Sequence, residues 1–289
     1  MPSFLDNLDR DIRDNLVAMI RDLWTHTSTA IEGNSLTLGD TAFVLGEGLT
    51  VSGKPLKDHQ EVVGHAKAID LIYGIWNRDS EVTTEDLFLL HKAVQTAVIL
   101  DYYRPLGQWK KEPNGVYARD SQDRQIFLEF ARPEDVPGLM HEWLHLLNKY
   151  FMNRNLSAAD ALDAYTRLHV AFVRVHPFFD GNGRMARLLA NLPVLKSGEP
   201  PIVIPKELRR EYLGLLTEYD LAVGQARIGR PILPEPERLQ GFRRFCEKAW
   251  TASRELVDSA RALQAKRNQE KESTGQKEAR REPDGRDDR

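Results

Sequence analysis

The chain has 289 residues, of which 41% are hydrophobic and 29% are charged, and its formal net charge at pH 7 is −3. These values fit a soluble globular protein and give no electrostatic argument for binding to nucleic acid or to an anionic membrane. The single cysteine, Cys246, excludes an internal disulfide, and no run approaches the roughly 20 apolar residues that span a bilayer, so we expect a cytoplasmic protein.

The N-terminal region begins with a helical pattern over residues 7–27, where apolar side chains recur on one face. Ser28 and Glu32 follow, four residues apart, so they share a face if the helix continues. Gly33, with Asn34 after it, is a typical helix stop. By itself this pattern fits an ordinary solvated glutamate at the end of a surface helix.

Two more helices are predicted in the first third of the chain. Residues 57–77 and 84–98 have helical apolar patterns, and Thr84 is suited to cap the second helix. Residues 36–56 carry several glycines among short apolar pieces, and we predict turns there.

A β-hairpin is predicted within residues 105–130. Gly107 and the turn sequence Pro113-Asn114-Gly115 come before the β-rich pair Val116-Tyr117, and a second β-rich piece occupies residues 126–128. The pattern indicates two short strands, and an ordinary surface hairpin is one interpretation of them.

The helix predicted over residues 134–152 contains His141-Glu142-Trp143-Leu144-His145, which fits the His-Glu-x-x-His motif of zinc proteases. The helix phase argues against such a site, because the apolar residues cluster on one face and both histidines fall nearly opposite, toward solvent. A catalytic zinc also needs a third protein ligand inside a cleft, and no residue clearly offers one. Zinc catalysis at His141 and His145 remains a remote alternative.

Residues 157–175 are predicted to form the buried central helix, because apolar side chains cover most of its circumference. Ser157 is a good N-cap, with Asp160 at the third position of the helix. His169 lies seven residues before His176, and we interpret it as a packed structural histidine.

A loop between two helices is predicted directly after this segment. Pro177 ends the first helix, since the residue before a proline avoids the α region. Gly181 and Gly183 permit the tight turn that starts the second helix. Backbone amides of Gly-Asn-Gly at a helix start are suited to bind phosphate.

Chemically active side chains are concentrated in the same loop. His176 titrates near neutral pH and can accept a proton from a hydroxyl. Asp180 is a hard oxygen ligand suited to Mg²⁺ bound to a nucleotide. Arg184 and Arg187 are three residues apart on one helix face and can bind further phosphates. This combination is typical of attack by a hydroxyl on a phosphate ester.

The C-terminal third is predicted to be helical and then disordered. Pro193 indicates a kink or an early break in the helix that follows the loop. A further helix over residues 206–222 bears Tyr212, and residues 235–263 form a final helix or helix pair. Residues 264–289 are almost all charged or polar, and we predict a disordered tail there.

Residues 176–187 resemble the Fic family motif, His-x-Phe-x-Asp/Glu-Gly-Asn-Gly-Arg-x-x-Arg, at each of its fixed positions. The resemblance implies a mainly α fold, in which a Fic-type helical core carries a small β-hairpin flap. Its expected parts are an N-terminal helical region 1–99 with an inhibitory motif at 28–33, a core 100–225 with the flap at about 107–130, a C-terminal helical extension 226–263 and the charged tail 264–289.

The resemblance also implies an activity, protein AMPylation, in which AMP passes from ATP to a Ser, Thr or Tyr hydroxyl of a target protein. His176 is then the base and Asp180 holds Mg²⁺, with Mn²⁺ as an alternative. Family members often place an aromatic residue beside the nucleotide base, and Tyr212 either fills that place or packs in the core. The residues expected to bind the phosphates are Gly181, Asn182, Gly183, Arg184 and Arg187.

Ser28 to Gly33 is similar to the family's inhibitory signature, Ser/Thr-x-x-x-Glu-Gly/Asn, in its N-terminal position. The resemblance implies that Glu32 pairs with Arg187 in a fork-to-fork arrangement and takes the place of the ATP γ-phosphate. Ser28 is then expected to brace the Glu32 carboxylate through a hydrogen bond worth about 1 kcal/mol. It also implies that a target protein docks on the flap by strand addition. Residues 107–110, Gly-Gln-Trp-Lys, depart from the family's Gly-x-aromatic-Arg at the last position.

Several alternatives remain open at this point. Some family members remove AMP, and others transfer UMP, GMP or phosphocholine. A kinase variant carries lysine at the position of Gly183, so this glycine argues against a kinase. A binding or antitoxin-like module kept inactive by Glu32 is a further alternative. Assembly of the chain into a homo-oligomer is a further open alternative.

Overall fold

A computed structural model describes residues 3–96, 105–119, 122 and 124–279, and within them the chain is mainly α with one two-stranded antiparallel sheet, as predicted. No helix in these residues is both long and apolar enough to cross a bilayer. The helices are α1 (Arg10–Ile31), α2 (Leu38–Glu47), α3 (Leu56–Trp76), α4 (Thr84–Val94), α5 (Val136–Phe151), α6 (Ala158–Val175), α7 (Asn182–Leu189), α8 (Asn191–Lys196), α9 (Arg209–Val223), α10 (Gln240–Ala249) and α11 (Thr251–Ala279). The strands are β1 (Gly115–Arg119) and β2 (Gln125–Glu129), and short 3-10 helices span Lys206–Leu208 and Pro236–Leu239.

The central helix is α6, which contacts α5, α7, α8 and α10. Its start matches the prediction, because the Ser157 hydroxyl accepts a hydrogen bond from the Asp160 N–H and the Asp160 carboxylate bonds back to Ser157. Its side chains are buried over most of the length from Ala161 to Val175. The helix therefore runs through the core and ends at His176, which fixes the position of the loop that follows.

The first helix, α1, packs against α2, α3, α7 and α11. Its buried residues Ile12, Leu16, Ile20 and Trp24 recur every four residues, so they form one continuous apolar stripe. The helix ends at Ile31, and the following residues turn away through a glycine with a φ of 100°. This packing brings the end of α1 against α7.

Two predictions for the N-terminal half need correction. The predicted turn region 36–56 contains the helix α2, which Thr37 and Asp40 cap reciprocally and which Gly48 ends in the left-handed conformation. This helix is short and contains glycine, so its apolar residues do not show a clear helical period. The N-cap of α4 is Thr83, one residue before the predicted Thr84.

The charged segment from Gln264 onward is helical, so the prediction of disorder is wrong as far as Ala279. The physical reason is a docking contact with the start of α1. The Gln264 side chain accepts a hydrogen bond from the Asp9 N–H at 2.7 Å, and Arg267 pairs with Asp11 at 2.7 Å. Residues 280–289 and the predicted boundary between residues 99 and 100 lie outside the described residues.

The predicted hairpin is present, with Tyr117 opposite Phe127 in the register of β1 and β2. These two rings lie 5.1 Å apart between centroids on the exposed face of the hairpin. The turn residues Pro113 to Gly115 lead into β1 and do not connect the strands. The connection lies between residues 119 and 125, which are only partly described.

Candidate active site

The loop between α6 and α7 is held in shape by its own side chains. His176 has the left-handed conformation, with φ 51° and ψ 59°, and ends α6. Both polar atoms of the Asn182 side chain bond the main chain of Phe178, at 2.9 and 2.8 Å. The Asn182 side chain therefore closes the loop. Its main-chain N–H is the part of the residue that remains available at the start of α7.

His176 is held as a neutral imidazole. Its Nδ1 lies 3.1 Å from the Val173 carbonyl oxygen, which places the ring hydrogen on Nδ1 and leaves a lone pair on Nε2. Its ring stacks on Phe130, with centroids 3.7 Å apart and an interplanar angle of 1°. Burial and the neighbouring Lys110 ammonium lower the pKa of His176 to about 3. The side chain is thus unprotonated at neutral pH, the state that a base requires.

The N-terminus of α7 forms an anion site. The first N–H groups of a helix lack partners within it and carry partial positive charge. Gly181, at φ 79°, has no room for a side chain, since a Cβ there would lie 2.6 Å from Gln95 Nε2. A Cβ on Gly183 would lie 2.7 Å from a carboxylate oxygen of Glu32. The two glycines thus allow close approach to the helix start, and Glu32 already lies there.

Arg187 on α7 binds this carboxylate. Its Nη2 donates to Glu32 Oε1 at 2.6 Å and to the Ser28 carbonyl oxygen at 2.9 Å, and its Nε donates to Ser28 Oγ at 3.0 Å. The guanidinium is 3% exposed, while the Glu32 side chain is 40% exposed. The end of α1 therefore surrounds a buried cation, with one carboxylate that is partly open to solvent.

The predicted contact between Glu32 and Arg187 is present, but its geometry differs from the prediction in two ways. One oxygen of the Glu32 carboxylate accepts from one nitrogen of Arg187, so the pair is not fork-to-fork. Ser28 bonds Arg187 directly, through its hydroxyl and its carbonyl, whereas the prediction made it a brace for the Glu32 carboxylate. Ser28 and Tyr212 accept from three of the other guanidinium hydrogens, so Nη2 has one hydrogen left for the carboxylate.

Tyr212 lies in the core beneath Arg187. Its side chain is buried, and its ring packs against Phe242 and Phe245. The Tyr212 hydroxyl accepts from Arg187 Nη1 at 3.3 Å and lies 3.0 Å from His169 Nε2. The expected structural role of His169 is confirmed, and the contact of Tyr212 with a nucleotide base stays a prediction.

Asp180 lies at the mouth of the site with a side chain that is 66% exposed. Its Oδ1 accepts from the Gly181 N–H at 2.7 Å, and its Oδ2 lies 3.7 Å from Arg184 Nη2. Desolvation acts to raise its pKa, but Arg184 and the Gly181 N–H together bring the pKa below its ordinary value. An ionised, accessible carboxylate beside the anion site fits a divalent cation that also binds phosphate.

Arg184 is buried, and its contacts differ from those of Arg187. Its Nη1 donates to the Val94 carbonyl oxygen at 3.3 Å, and its Nε has no hydrogen-bond partner in the described part of the chain. The two arginines share the inner side of α7, yet only Arg187 contacts Glu32. Because the Nε of Arg184 is buried, it is not accessible to an anion, and the Arg184 nitrogen that approaches Asp180 is Nη2, 3.7 Å from Oδ2.

His91 on α4 joins the site, although no pattern in the sequence predicted it. Its Nδ1 accepts from the Gly107 N–H at 2.9 Å, so its Nε2 carries the hydrogen and donates to the Asp180 carbonyl oxygen at 3.1 Å. Its ring stacks on Phe178 with centroids 4.0 Å apart. Burial lowers the pKa of His91 to about 4, so it links α4, the start of the hairpin and the loop as a neutral group.

A cavity of about 230 Å³ lies beside β2. Its apolar wall includes Leu128, Phe130 and Leu221, and its polar wall includes Arg174 and Asp220. Phe130 also covers the ring of His176, so the cavity and the candidate base share one side chain.

His141 and His145 are both exposed on α5, as the helix phase predicted. In the part of the chain that the structure describes, no three metal-binding side chains cluster. A zinc site at these histidines has no support in the structure.

Comparison with known proteins places this fold and this loop in one family. The model of the Fic/DOC family matches residues 81–194. The chain is 33% identical over 196 residues to protein adenylyltransferase fic-1 of Caenorhabditis briggsae, covering 67% of this chain and 36% of that protein. The chain thus spans about a third of the length of the curated relatives it matches.

Two solved structures have the same architecture. A Fic-domain-containing signaling protein from Bacteroides thetaiotaomicron is 25% identical, with a TM-score of 0.77 over 89% of this chain and 93% of that chain. A fragment of Fic-1 from Caenorhabditis elegans is 25% identical, with a TM-score of 0.66 over 90% of this chain and 69% of that chain. The chain belongs to the Fic family, and its motif lies at residues 176–187.

Proposed function

We propose that this protein transfers AMP from ATP to a Ser, Thr or Tyr hydroxyl of a protein, and that Glu32 inhibits the transfer. The observation that carries the proposal is the Glu32 carboxylate 2.6 Å from Arg187 at the start of α7, where a phosphate group would bind. Relatives named protein adenylyltransferases support the same activity.

In the proposed reaction, the target hydroxyl attacks the α-phosphorus of ATP. The bond between the α-phosphorus and the bridging oxygen breaks, and pyrophosphate leaves. The hydroxyl proton passes to Nε2 of His176, which is free because Nδ1 faces the Val173 carbonyl. Positioning and charge stabilisation carry most of the catalysis in this type of transfer.

The phosphates are assigned to the N-terminus of α7. The main-chain N–H groups of Gly181, Asn182 and Gly183 and the side chains of Arg184 and Arg187 are the proposed ligands. Asp180 is the proposed ligand of a Mg²⁺ or Mn²⁺ ion, which would neutralise phosphate charge when bound. Within the described residues, no cluster of three metal-binding side chains accompanies Asp180, so this carboxylate is the side chain that would hold the ion.

Inhibition follows from competition for one position. Ser28 and Tyr212 accept from three hydrogens of the Arg187 guanidinium, and the Nη2 hydrogen that faces Glu32 can bind either this carboxylate or a γ-phosphate. While Glu32 holds that position, the phosphates of ATP are misplaced. A displacement of about 1 Å costs about 10²-fold in a positioned reaction.

The hairpin is the proposed docking site for the target. Within the described residues β1 and β2 pair only with each other, so a further strand can add at an outer edge. The cavity beside β2 adjoins Phe130, which stacks on His176, so a side chain of the bound segment can enter it near the reacting hydroxyl.

The test compares ATP labelled at the α-phosphate with ATP labelled at the γ-phosphate, with the protein itself as acceptor in the Glu32→Gly variant. We expect label from the α-position alone. Label from the γ-position indicates a kinase, and no label from either position contradicts the proposal. Release of AMP from the labelled product by wild-type protein, but not by Glu32→Gln, would identify the reverse reaction as the main activity.

A further inference from the structure

The segment before β1 contacts the main chain on both sides of His176. The Lys110 N–H donates to the Pro177 carbonyl oxygen at 2.9 Å, and its ammonium lies 3.5 Å from the Val175 carbonyl oxygen. One lysine thus bonds the carbonyls of the residues immediately before and after the candidate base. Lys110 is 2% exposed, so these contacts are shielded from water.

Asn114 adds two further contacts. Its Oδ1 accepts from the Lys110 ammonium at 2.5 Å, and its Nδ2 donates to the Phe178 carbonyl oxygen at 3.1 Å. We use the term bracket for Lys110 and Asn114 together. It fastens the start of the hairpin to three carbonyls of the loop, those of Val175, Pro177 and Phe178.

The residue inside the bracket has a backbone that needs support. His176 has a φ of 51°, a conformation that non-glycine residues rarely adopt. Such a conformation persists only where the surrounding structure holds it. The bonds from Lys110 to the carbonyls on either side provide that restraint.

We propose that Lys110 is a positioning residue that holds His176 in its left-handed conformation and so aims Nε2 at the reacting hydroxyl. The proposal rests on the proposed role of His176 as the base. The hairpin then has two roles, as a docking surface for the target and as a support for the base, because Lys110 both fastens the hairpin and sets the position of His176.

The charge of Lys110 contributes as well as its geometry. Its ammonium lies at the C-terminal carbonyls of α6, where a cation is favoured by the helix dipole. Burial lowers the pKa of Lys110 to about 8, although Glu129 acts in the opposite direction, so the group is still mostly charged at pH 7.

A substitution of Lys110 can separate the contribution of its side chain from that of its main chain. Lys110→Met removes the bonds to Val175 and Asn114 but keeps the main-chain bond to Pro177 and a side chain of similar length. Lys110→Arg restores a cationic donor. Lys149→Met is the matched control, because Lys149 is an exposed lysine on α5.

The experiment uses the Glu32→Gly protein as parent and three measurements. These are the rate of AMP incorporation from α-labelled ATP at saturation, the Kd of ATP by calorimetry, and the ¹⁵N signals of the His176 ring. For Lys110→Met we expect a rate lower by about 10- to 100-fold, a Kd within about twofold of the parent and a shifted Nδ1 signal. Lys110→Arg should recover most of the rate, and Lys149→Met should match the parent.

Three results would overturn the proposal: an unchanged rate in Lys110→Met, an unchanged His176 signal, or no recovery in Lys110→Arg. If Lys110→Met does not fold, Asn114→Ala removes the Asn114 bond to the ammonium and the bond to the Phe178 carbonyl, and it is judged by the same rate and signal. If the parent transfers no AMP, the proposed function fails, and the His176 signal still decides whether Lys110 positions the ring.

Discussion

The guanidinium of Arg187 on α7 donates to the carboxylate of Glu32 at the end of α1, at a distance of 2.6 Å and a separation of 155 residues. This contact joins the N-terminal helix to the anion site next to His176. A long-range pair of this kind forms only when α1 is packed against α7, so the contact depends on how the first helix packs.

Replacement of the base should affect transfer far more than ATP binding. In the Glu32→Gly protein, His176→Ala should lower the rate of AMP incorporation by about 10²–10⁴-fold, the usual loss for a general base. The Kd of ATP should stay within about twofold, because the ring bonds the Val173 carbonyl and not the anion site. Turnover close to that of the parent would exclude His176 as the base.

Replacement of Asp180 should remove the effect of Mg²⁺. Asp180→Ala should bind ATP equally well with Mg²⁺ and with a chelator, since the accessible carboxylate is the proposed metal ligand. Calorimetric titration under the two conditions measures this. If the variant keeps the Mg²⁺ dependence of the parent, Asp180 shapes the loop through the Gly181 N–H instead.

The contacts of Arg187 predict an order among three variants. Ser28→Ala removes one acceptor, worth about 1 kcal/mol, and keeps the Glu32 pair and the main-chain contact, so it should activate less than Glu32→Gly. Arg187→Ala removes the inhibitory partner and the proposed phosphate ligand together, so it should not activate. AMP incorporation measured side by side tests this order, and activation by Arg187→Ala would contradict the assignment of the phosphate ligand.

Buried histidines should make the fold sensitive to acid. Burial lowers the pKa values of five histidines, His26, His65, His91, His169 and His176. A group with a lowered folded-state pKa contributes stability above its unfolded pKa of about 6.5, and that stability is lost as the pH falls below it. Each of these histidines should lower the free energy of unfolding by up to about 1.4 kcal/mol for each pH unit between pH 6.5 and its folded-state pKa.

Urea unfolding at pH 7.5, 6.5 and 5.5 measures this dependence. His65 has no hydrogen-bond partner for either ring nitrogen in the described residues, so His65→Phe should flatten the dependence. The double variant His141→Ala with His145→Ala should leave it unchanged, because both side chains are exposed. An equal slope in His65→Phe and wild type would contradict the attribution to buried imidazoles.

The sequence predicted the local features of the site well. Pro177 and the glycines at 181 and 183 set the end of one helix and the start of the next, and both boundaries follow from backbone sterics alone. The end of α1 near Gly33 follows for the same reason. Periodicity also predicted that His141 and His145 face solvent, because helix phase is a local property.

The features that sequence reasoning missed depend on contacts between distant segments. The His91 bonds to Gly107 and to the Asp180 carbonyl have no local pattern that predicts them. Residues from Gln264 to Ala279 are polar enough to suggest disorder, yet the helix is stabilised by contacts with Asp9 and Asp11, more than 250 positions away. Likewise, the bonds of Ser28 to Arg187 depend on how α1 lies against α7.

The most direct test of the account is the rate of AMP incorporation from α-labelled ATP in Glu32→Gly relative to wild type. Glu47→Gly is a matched control, because Glu47 is an exposed glutamate at the end of α2. Circular dichroism first checks that all three proteins are folded. We then expect the rate of AMP incorporation in Glu32→Gly to exceed that of wild type by about 10²-fold, and the rate in Glu47→Gly to equal that of wild type. A folded Glu32→Gly protein no faster than wild type would contradict the claim that this carboxylate holds the anion site closed.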